Sequence, residues 1–188
     1  SHWVEGGPVI GTDSLAFDGE DFDPKRGFIK GFPFGKVGAW IFAAQAVEIE
    51  IDEATGTITP LEVWSAHDIG KAINPASVAG QVEGGVVQGI GYALYEEMVW
   101  DTGRLANPSL MDYKIAGTKD APPRINTILI EEPDEVGPFG AKGIGEPPIG
   151  GIAPAIANAL THATGIRLKK LPMTPERVLN ALEDKNQT

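Results

Sequence analysis

The sequence has 188 residues, of which 42% are hydrophobic and 22% are charged, a balance typical of a soluble globular protein. Its 26 acidic residues outnumber its 15 basic residues and give a formal net charge of −11, which argues against a nucleic-acid partner because phosphates would be repelled. The sequence contains no cysteine, so disulfides, thiolate metal sites and iron–sulfur ligation are excluded within it. With no long apolar run and no signal-peptide pattern, this composition predicts a cytoplasmic protein without a membrane span.

Residues 1–40 are rich in glycine, proline and aromatic residues, with an acidic run from Asp18 to Asp23. This composition predicts loops with short strands rather than a helix. A long open segment at the start of a compact domain indicates that its packing partner lies elsewhere. We therefore expect the chain to be part of a larger protein or a subunit of a complex.

Apolar and acidic residues alternate from Val47 to Asp52, which predicts a strand with one buried face. The segment Glu53–Gly56 has the composition of a turn, and Ile58–Trp64 is typical of the returning strand of a hairpin. Pro60 lies within that second strand and has no backbone N–H to donate, so it predicts an edge position or a β-bulge.

A helix is predicted to begin at Asn74 and Pro75, because Asn caps helices and Pro favours the first helical position. Apolar residues recurring every four positions extend this helix to about Glu97. Five glycines lie inside it and together cost roughly 3–5 kcal/mol relative to alanine, so packing or a ligand must offset them. These glycines are Gly80, Gly84, Gly85, Gly89 and Gly91.

Spacings of three and four place Gln81, Gly85 and Gly89 on one face of this helix, with Gln88 beside Gly89. A bare stripe edged by side-chain amides suits either of two partners. One is a flat polar molecule that approaches the helix closely. The other is a second helix packed tightly against the glycines, and local chemistry alone favours this second alternative.

The chain beyond this helix is predicted to contain a second hairpin and one further strand. The hairpin runs from Glu97 to Leu105 with its turn at Asp101–Gly103. Irregular chain follows over Asn107–Pro123. The strand spans Arg124–Glu131.

Two helices are predicted near the end of the sequence. The first runs from about Gly150 to Thr164 and ends at Gly165, a favourable C-cap. The last begins at Thr174–Pro175, and Asp184–Thr188 is expected to be a frayed tail. The fold class that these elements indicate is α+β.

The stretch Gly137–Pro148 contains four glycines and three prolines, so it is neither a helix nor a central strand but an irregular loop. Glu146 stands directly before Pro147, which favours extended backbone angles at Glu146. Gly143 and Gly145 leave room for another molecule to approach the backbone. The loop matches neither the P-loop pattern nor the dinucleotide fingerprint, and from its residues alone it is more often a plain connection with a solvated glutamate.

Four segments together resemble one protein family. The run Gly143–Pro148 resembles the active-site loop of the molybdenum hydroxylases of the xanthine dehydrogenase and aldehyde oxidase family. Gly80–Gly91 is similar to that family's pterin-contacting segment, and His67–Pro75 and Gln45–Gly56 also fit. The motifs occur in the family's order, and the resemblance covers about residues 28–182.

This resemblance implies a single partial molybdopterin-binding domain over residues 1–188. Within it, residues 1–27 are a loop-rich lead-in, 28–184 are the family-like region, and 185–188 are a tail. It also implies a molybdenum–molybdopterin cofactor, with the cytosine dinucleotide form as an alternative. The metal in this family is held by the pterin, so no protein metal ligand is expected.

The resemblance implies that Glu146 is the general base in a molybdenum hydroxylase, which oxidises an aldehyde or an N-heteroaromatic substrate with water as the oxygen source. Lys142 is expected either to help neutralise the cofactor or to be solvated. His67 and His162 are expected to be structural residues. The residues expected to contact the cofactor are Gly80, Gln81, Lys142, Gly143, Ile144 and Gly145.

The expected partners are the remainder of the molybdenum subunit, an iron–sulfur subunit and an FAD subunit, with a small-molecule substrate. The chain alone is not expected to turn over, because the family's other cofactor segments and its iron–sulfur and flavin modules are not found in it. One alternative is a cofactor-free binding or assembly module with the same fold. Another is a hydrolase that pairs Glu146 with a second carboxylate, and no such second acid stands out in the sequence.

Overall fold

The computed structural model describes residues 22–23, 28–29, 41–134 and 137–186. The chain divides into two compact units, residues 1–38 and 39–188. In the first unit, Phe22–Asp23 (β1) pairs antiparallel with Phe28–Ile29 (β2). These two strands agree with the short strands expected before residue 40, and the rest of that expectation lies outside the described residues.

The second unit contains a three-stranded sheet in which Thr57–Asp68 (β4) is the central strand. It pairs antiparallel with Ala43–Asp52 (β3), so the predicted hairpin is confirmed. On its other side, β4 pairs in parallel with Arg124–Ile130 (β7). The turn between β3 and β4 ends at Gly56, whose φ of +74° lies in the left-handed region that glycine adopts readily.

Pro60 lies in β4 at the point where the sheet is irregular. The register with β3 shifts between Glu48 and Ile49, and Ile49 is the residue opposite Pro60. Pairing with β7 begins only at Glu62, two residues after the proline. Pro60 therefore lies at the β-bulge and on a part of β4 that has no strand on the β7 side, where its missing N–H leaves no hydrogen bond of the sheet unmade. The prediction is confirmed.

The glycine-rich helix spans Pro75–Leu94 (α1). Asn74 caps it as predicted, because its side-chain oxygen accepts a hydrogen bond from the backbone N–H of Ser77 at 3.1 Å. The predicted end at Glu97 is wrong by three residues. The N–H groups of Tyr95 and Glu96 both bond to the carbonyl of Gly91 at 2.9 Å, and this shared acceptor closes the last turn at Leu94.

The second predicted hairpin is present as two short strands. Trp100–Asp101 (β5) pairs antiparallel with Arg104–Leu105 (β6). The two residues between them, Thr102 and Gly103, have φ values of +46° and +84°, which are typical of a tight hairpin turn.

Three helices follow β7: Pro147–Gly150 (α2), Ile152–Thr164 (α3) and Pro175–Asn186 (α4). Gly165 ends α3 with a φ of +75°, as predicted. The predicted frayed tail is wrong up to residue 186, because α4 continues to Asn186. The Lys185 ammonium donates a hydrogen bond to the carbonyl of Thr164, which ties the last turn of α4 to the end of α3.

The core lies between the sheet and helices α1, α3 and α4, which confirms the α+β class. Each of these elements contributes fully buried apolar side chains to one cluster. The cluster's fully buried members are Val63, Val82, Val86, Ile90, Ala93, Ile152, Ile156, Leu160 and Val178.

No helix within the described ranges is both long and apolar enough to cross a membrane.

Replacing Asn74 with alanine is expected to destabilise the first turn of α1 by about 1 kcal/mol, because the N–H of Ser77 loses its acceptor. The measurement is amide hydrogen exchange in the assembled protein, where the Ser77 and Val78 amides are expected to exchange about fivefold faster. Asn74→Asp is the control, since it keeps an acceptor at this position. An equal acceleration in both variants would contradict the capping role.

Candidate cofactor site

The loop Gly137–Pro148 is anchored where it passes the end of β4. After a short 3₁₀ turn at Pro138–Gly140, Ala141 forms a bridge with Gly70. The N–H of Lys142 bonds to the carbonyl of Ile69 at 2.9 Å. Most of the stretch is irregular as predicted, but its last two residues already belong to the helix α2.

Glu146 precedes α2 and has a φ of −111° and a ψ of −28°. These are right-handed helical values, so the predicted extended conformation is wrong. The reason is that Pro147 starts a helix, in which the N–H of Ile149 bonds to the carbonyl of Glu146 at 3.0 Å. The Glu146 side chain is exposed and does not cap the helix, so its carboxylate is available to another molecule.

Gly143, Ile144 and Gly145 present an open stretch of backbone just before Glu146. Among the described residues, a Cβ on Gly145 would meet nothing within 4 Å, and one on Gly143 would meet only Ile41 Cδ1 at 3.8 Å. Across the part of the chain that the structure describes, the backbone N–H groups of these three residues have no hydrogen-bond acceptor. The half-buried Ile144 side chain packs against the core, and all three residues line an open depression.

Lys142 is buried in an ion pair. Its ammonium lies 2.6 Å from a carboxylate oxygen of Asp68, and each side chain is only 8% exposed. The hydrogen bond from Lys142 lowers the pKa of the Asp68 carboxyl below its ordinary value. The solvated alternative for Lys142 is therefore wrong, while a role towards a cofactor stays a prediction. Sequence reasoning missed Asp68, although it lies in the His67–Pro75 motif.

The glycines of α1 divide into two groups. Gly85 and Gly89 face α2 and α3, where a Cβ would lie 2.6 Å from Pro148 Cβ and 2.8 Å from Ile152 Cβ. Of the two alternatives that the sequence left for this stripe, tight packing against another helix is therefore confirmed for Gly85 and Gly89.

The exposed face of α1 carries Gly80, Gly84 and both glutamines, whereas Gly91 is buried. Within the described ranges, a Cβ on Gly80 or on Gly84 would meet nothing within 4 Å. Gln81 and Gln88 are exposed beside them. This bare, amide-edged face is the part of α1 that remains open to a flat polar molecule.

Adjacent glycines in α1 should respond oppositely to alanine. Gly84→Ala is expected to stabilise the protein by about 0.5–1 kcal/mol, because the new methyl meets open space and helix propensity improves. Gly85→Ala is expected to destabilise it by about 1–3 kcal/mol, because Pro148 must move. Thermal unfolding of the assembled protein measures both changes. Stabilisation by both variants would show that Gly85 is not packed against α2.

Two neighbouring depressions connect the helix face to the loop. A cavity of about 210 Å³ lies between α1 and the loop, and its lining includes Gln81, Lys142 and Ile144. Ile144 also lines a second, more open depression with Gly143, Gly145 and Glu146. The structure thus places Gln81 and Glu146 on either side of Ile144. Gly80 lines neither depression.

A row of polar side chains lies beneath α2. The amide nitrogen of Gln45 lies 2.8 Å both from Ser65 Oγ and from the carbonyl oxygen of Pro148. Ser65 Oγ lies 2.8 Å from His67 Nε2, and both residues are fully buried. Burial lowers the pKa of His67. His67 is thus structural as expected, whereas His162 is exposed on α3. No local sequence pattern points to the Gln45 contacts.

The donors at this site suit a cofactor rather than a metal held by side chains. Consecutive backbone N–H groups and a primary amide bind polar ring edges and anionic oxygens. In the described residues, no group of three or more His, Asp or Glu side chains could hold a metal ion. This arrangement suits a polar, planar molecule bound beside one carboxylate.

Residues 8–122 match the family model of the molybdopterin cofactor-binding domain, and the chain belongs to this family. It is 39% identical over 139 residues to the xanthine dehydrogenase molybdenum-binding subunit of Escherichia coli O157:H7, covering 73% of this chain and 18% of that protein. It is 35% identical over 144 residues to the aldehyde oxidoreductase of Megalodesulfovibrio gigas, covering 77% and 16%.

Among solved structures, the quinoline 2-oxidoreductase of Pseudomonas putida 86 superposes with a TM-score of 0.70 at 33% identity. The match covers 74% of this chain and 18% of that one. The chain therefore has the fold of the molybdenum-cofactor-binding domain of this family, and it spans less than a fifth of the length of these relatives.

Proposed function

We propose that this chain is part of a molybdopterin-dependent oxidoreductase, a hydroxylase that oxidises an aldehyde or an N-heteroaromatic compound with water as the oxygen source. The observation that supports this most directly is the position of Glu146. Its exposed carboxylate follows three open backbone amides on a loop that faces the Gln81 side of α1. The names of the related proteins, which include enzymes acting on xanthine, quinoline and aldehydes, support the substrate class.

The residues present fit the cofactor's chemistry. The N–H groups of Gly143, Ile144 and Gly145 offer donors to an anionic or oxo-rich group, and the Gln81 amide can both donate and accept. Gly80 leaves the α1 face open beside Gln81. When bound, the molybdenum–molybdopterin cofactor supplies two-electron redox chemistry, and we propose that it is the molybdopterin or its cytosine dinucleotide form.

Glu146 is the proposed general base, which removes a proton from the water-derived oxygen before that oxygen attacks the substrate carbon. A carboxylate acts well in this role when its basicity is raised by loss of water or by nearby negative charge. The described residues leave Glu146 exposed. The cofactor, the substrate and the rest of the protein must therefore exclude water from Glu146 and supply the nearby negative charge.

Lys142 contributes in a different way from the loop amides. Because its ammonium is paired with Asp68, the pair adds little net charge near the cofactor. Its proposed role is to fix the path of the loop that carries the amides. Any direct neutralisation of the cofactor by Lys142 is secondary in this proposal.

The proposed assembly is a cytoplasmic complex. It comprises the remainder of the molybdenum subunit, which supplies the other cofactor and substrate contacts, and an iron–sulfur subunit that accepts the electrons. An FAD subunit is the proposed further acceptor. The fraction of each relative that the chain covers, 16–18%, supports the need for the remaining polypeptide.

The test is molybdenum analysis together with pterin fluorescence on the assembled complex that contains this chain. We expect about one molybdenum and one pterin per copy of the chain, because the chain carries part of a single site. We also expect the complex to reduce a dye when an aldehyde or an N-heterocycle is supplied. Gln81→Ala is expected to lower cofactor retention, since it removes one amide. A complex without molybdenum, in which Gln81→Ala changes nothing, would instead indicate a cofactor-free binding or assembly module.

A further inference from the structure

Pro148, two residues after Glu146, is held from two sides. Its ring packs against the Cα of Gly85, where a Cβ would lie 2.6 Å from the proline Cβ. Its carbonyl oxygen accepts a hydrogen bond from the Gln45 amide at 2.8 Å. Gly151 makes room for that amide, because a Cβ on Gly151 would lie 2.1 Å from Gln45 Oε1. The packing of Pro148 requires glycine at residue 85, and the hydrogen bond from Gln45 requires glycine at residue 151.

The Gln45 amide is the donor in the hydrogen bonds that join Pro148 to the sheet. The Pro148 carbonyl can only accept, so the NH₂ group of Gln45 must face it, and the second N–H reaches Ser65 Oγ at 2.8 Å. The buried Ser65 hydroxyl lies 2.8 Å from His67 Nε2, so these two side chains share a hydrogen bond. Burial lowers the pKa of His67 and so favours its neutral form.

This chain of hydrogen bonds ends in a rigid part of the molecule. Ser65 and His67 have 0% exposure and lie on β4, which has a strand on each side. Gln45 is directly opposite Ser65 in the β3–β4 register. The Gln45 side chain thus links the exposed loop to the central strand.

We propose that Gln45 is a positioning residue for Glu146: its amide ties the Pro148 carbonyl to the buried Ser65–His67 pair and so fixes the start of α2. The catalytic part of this inference rests on the proposed function of Glu146. The tether itself does not depend on the cofactor, so its failure can be distinguished from a failure of the proposed function.

The chain is held on both sides of Glu146. The Lys142–Asp68 ion pair lies four residues before Glu146, Ile144 packs against the core two residues before it, and Pro148 is held two residues after it. Without the Gln45 hydrogen bond, α2 keeps its packing on α1, through Pro148 at Gly85 and the Ile149 carbonyl at Gly89, but loses its hydrogen bond to β3. The Glu146 carboxylate would then sample positions away from the three open amides.

The test is Gln45→Leu in the assembled, cofactor-loaded protein. Leucine fills similar space but donates no hydrogen bond. We expect the Ile149 amide, which bonds to the Glu146 carbonyl, to exchange its hydrogen about tenfold faster, with exchange in α4 unchanged. We expect kcat to fall between tenfold and about 100-fold, because small misplacement of a catalytic group has effects of this size. The KM for the electron-accepting dye and the molybdenum content are expected to stay unchanged.

Glu50→Leu is the matched control, because Glu50 lies on the exposed side of the same strand, and it should change neither readout. Ser65→Ala removes a single hydroxyl and is expected to produce a smaller effect in the same direction, which keeps the test decisive if Gln45→Leu does not accumulate. Unchanged loop exchange in both variants would overturn the tether. Faster exchange with unchanged kcat would overturn the positioning role, whereas full activity of Glu146→Gln would overturn the proposed function.

Discussion

Replacing Glu146 with glutamine in the assembled, cofactor-loaded protein is expected to lower kcat by about 10²–10⁴-fold, the range that general acid–base catalysis contributes. Glutamine has nearly the same shape and keeps one acceptor oxygen, but it cannot take up a proton in the relevant pH range. Because Glu146 is exposed and does not cap α2, the exchange leaves the described fold without an unsatisfied group. Steady-state dye reduction measures the effect.

The same preparation provides the controls. Molybdenum and pterin content are expected to match the unsubstituted protein, since Glu146 is proposed to move a proton rather than to hold the cofactor. Glu50→Gln removes the same charge from an exposed position on β3 and should leave kcat unchanged. If Glu146→Gln retains activity within about twofold, the carboxylate is not the base that the proposed reaction requires.

The irregularity of the loop and the start of α1 could be predicted because their causes are local. Proline and glycine restrict or free the backbone at their own positions, and Asn74 bonds to a group three residues away. The hairpin β3–β4 was likewise visible from alternation and a turn. Each of these features depends on neighbours within a few residues, which a sequence pattern records directly.

The features that were missed or wrong depend on distant parts of the chain. The Asp68–Lys142 pair joins residues 74 positions apart, and the Gln45–Pro148 bond joins residues 103 positions apart. For Gly85 and Gly89 two alternatives stayed open, a flat polar molecule or a packed helix, because periodicity groups positions on a helix but does not show what each group faces. The backbone of Glu146 was mispredicted for a different, local reason, since the restriction before proline yielded to the helix that starts at Pro147.

Removing one member of the Asp68–Lys142 pair is expected to cause the largest loss of stability. Both side chains are 8% exposed, and their charged atoms lie 2.6 Å apart. Lys142→Met leaves a buried carboxylate without its partner, and such changes cost about 3–5 kcal/mol. Because the pair joins the end of β4 to the loop, amide exchange at Lys142, whose N–H bonds to Ile69, should accelerate in the assembled protein. Chemical unfolding gives the total loss.

Two control variants distinguish the cost of an unpaired buried charge from a general effect of losing a lysine. Lys71→Met breaks a neighbouring ion pair with Glu131 whose side chains are 53% and 41% exposed, and little change is expected because water already solvates those charges. Asp68→Leu combined with Lys142→Met should recover much of the loss, since neither charge then remains buried. A double variant as unstable as Lys142→Met alone would show that shape, not charge pairing, sets the cost.

The pair also predicts how stability depends on pH. The Lys142 hydrogen bond lowers the pKa of the Asp68 carboxyl in the folded protein, so the folded state binds the proton of Asp68 less tightly than the unfolded state. The stabilisation is therefore fully present above the unfolded pKa of about 3.9 and is lost as the pH falls through the lower folded value. Unfolding measured on either side of this range should show the unsubstituted protein losing more stability on acidification than the Asp68→Leu, Lys142→Met double variant. Equal losses would contradict the assignment, because the double variant has no carboxyl at residue 68 to protonate.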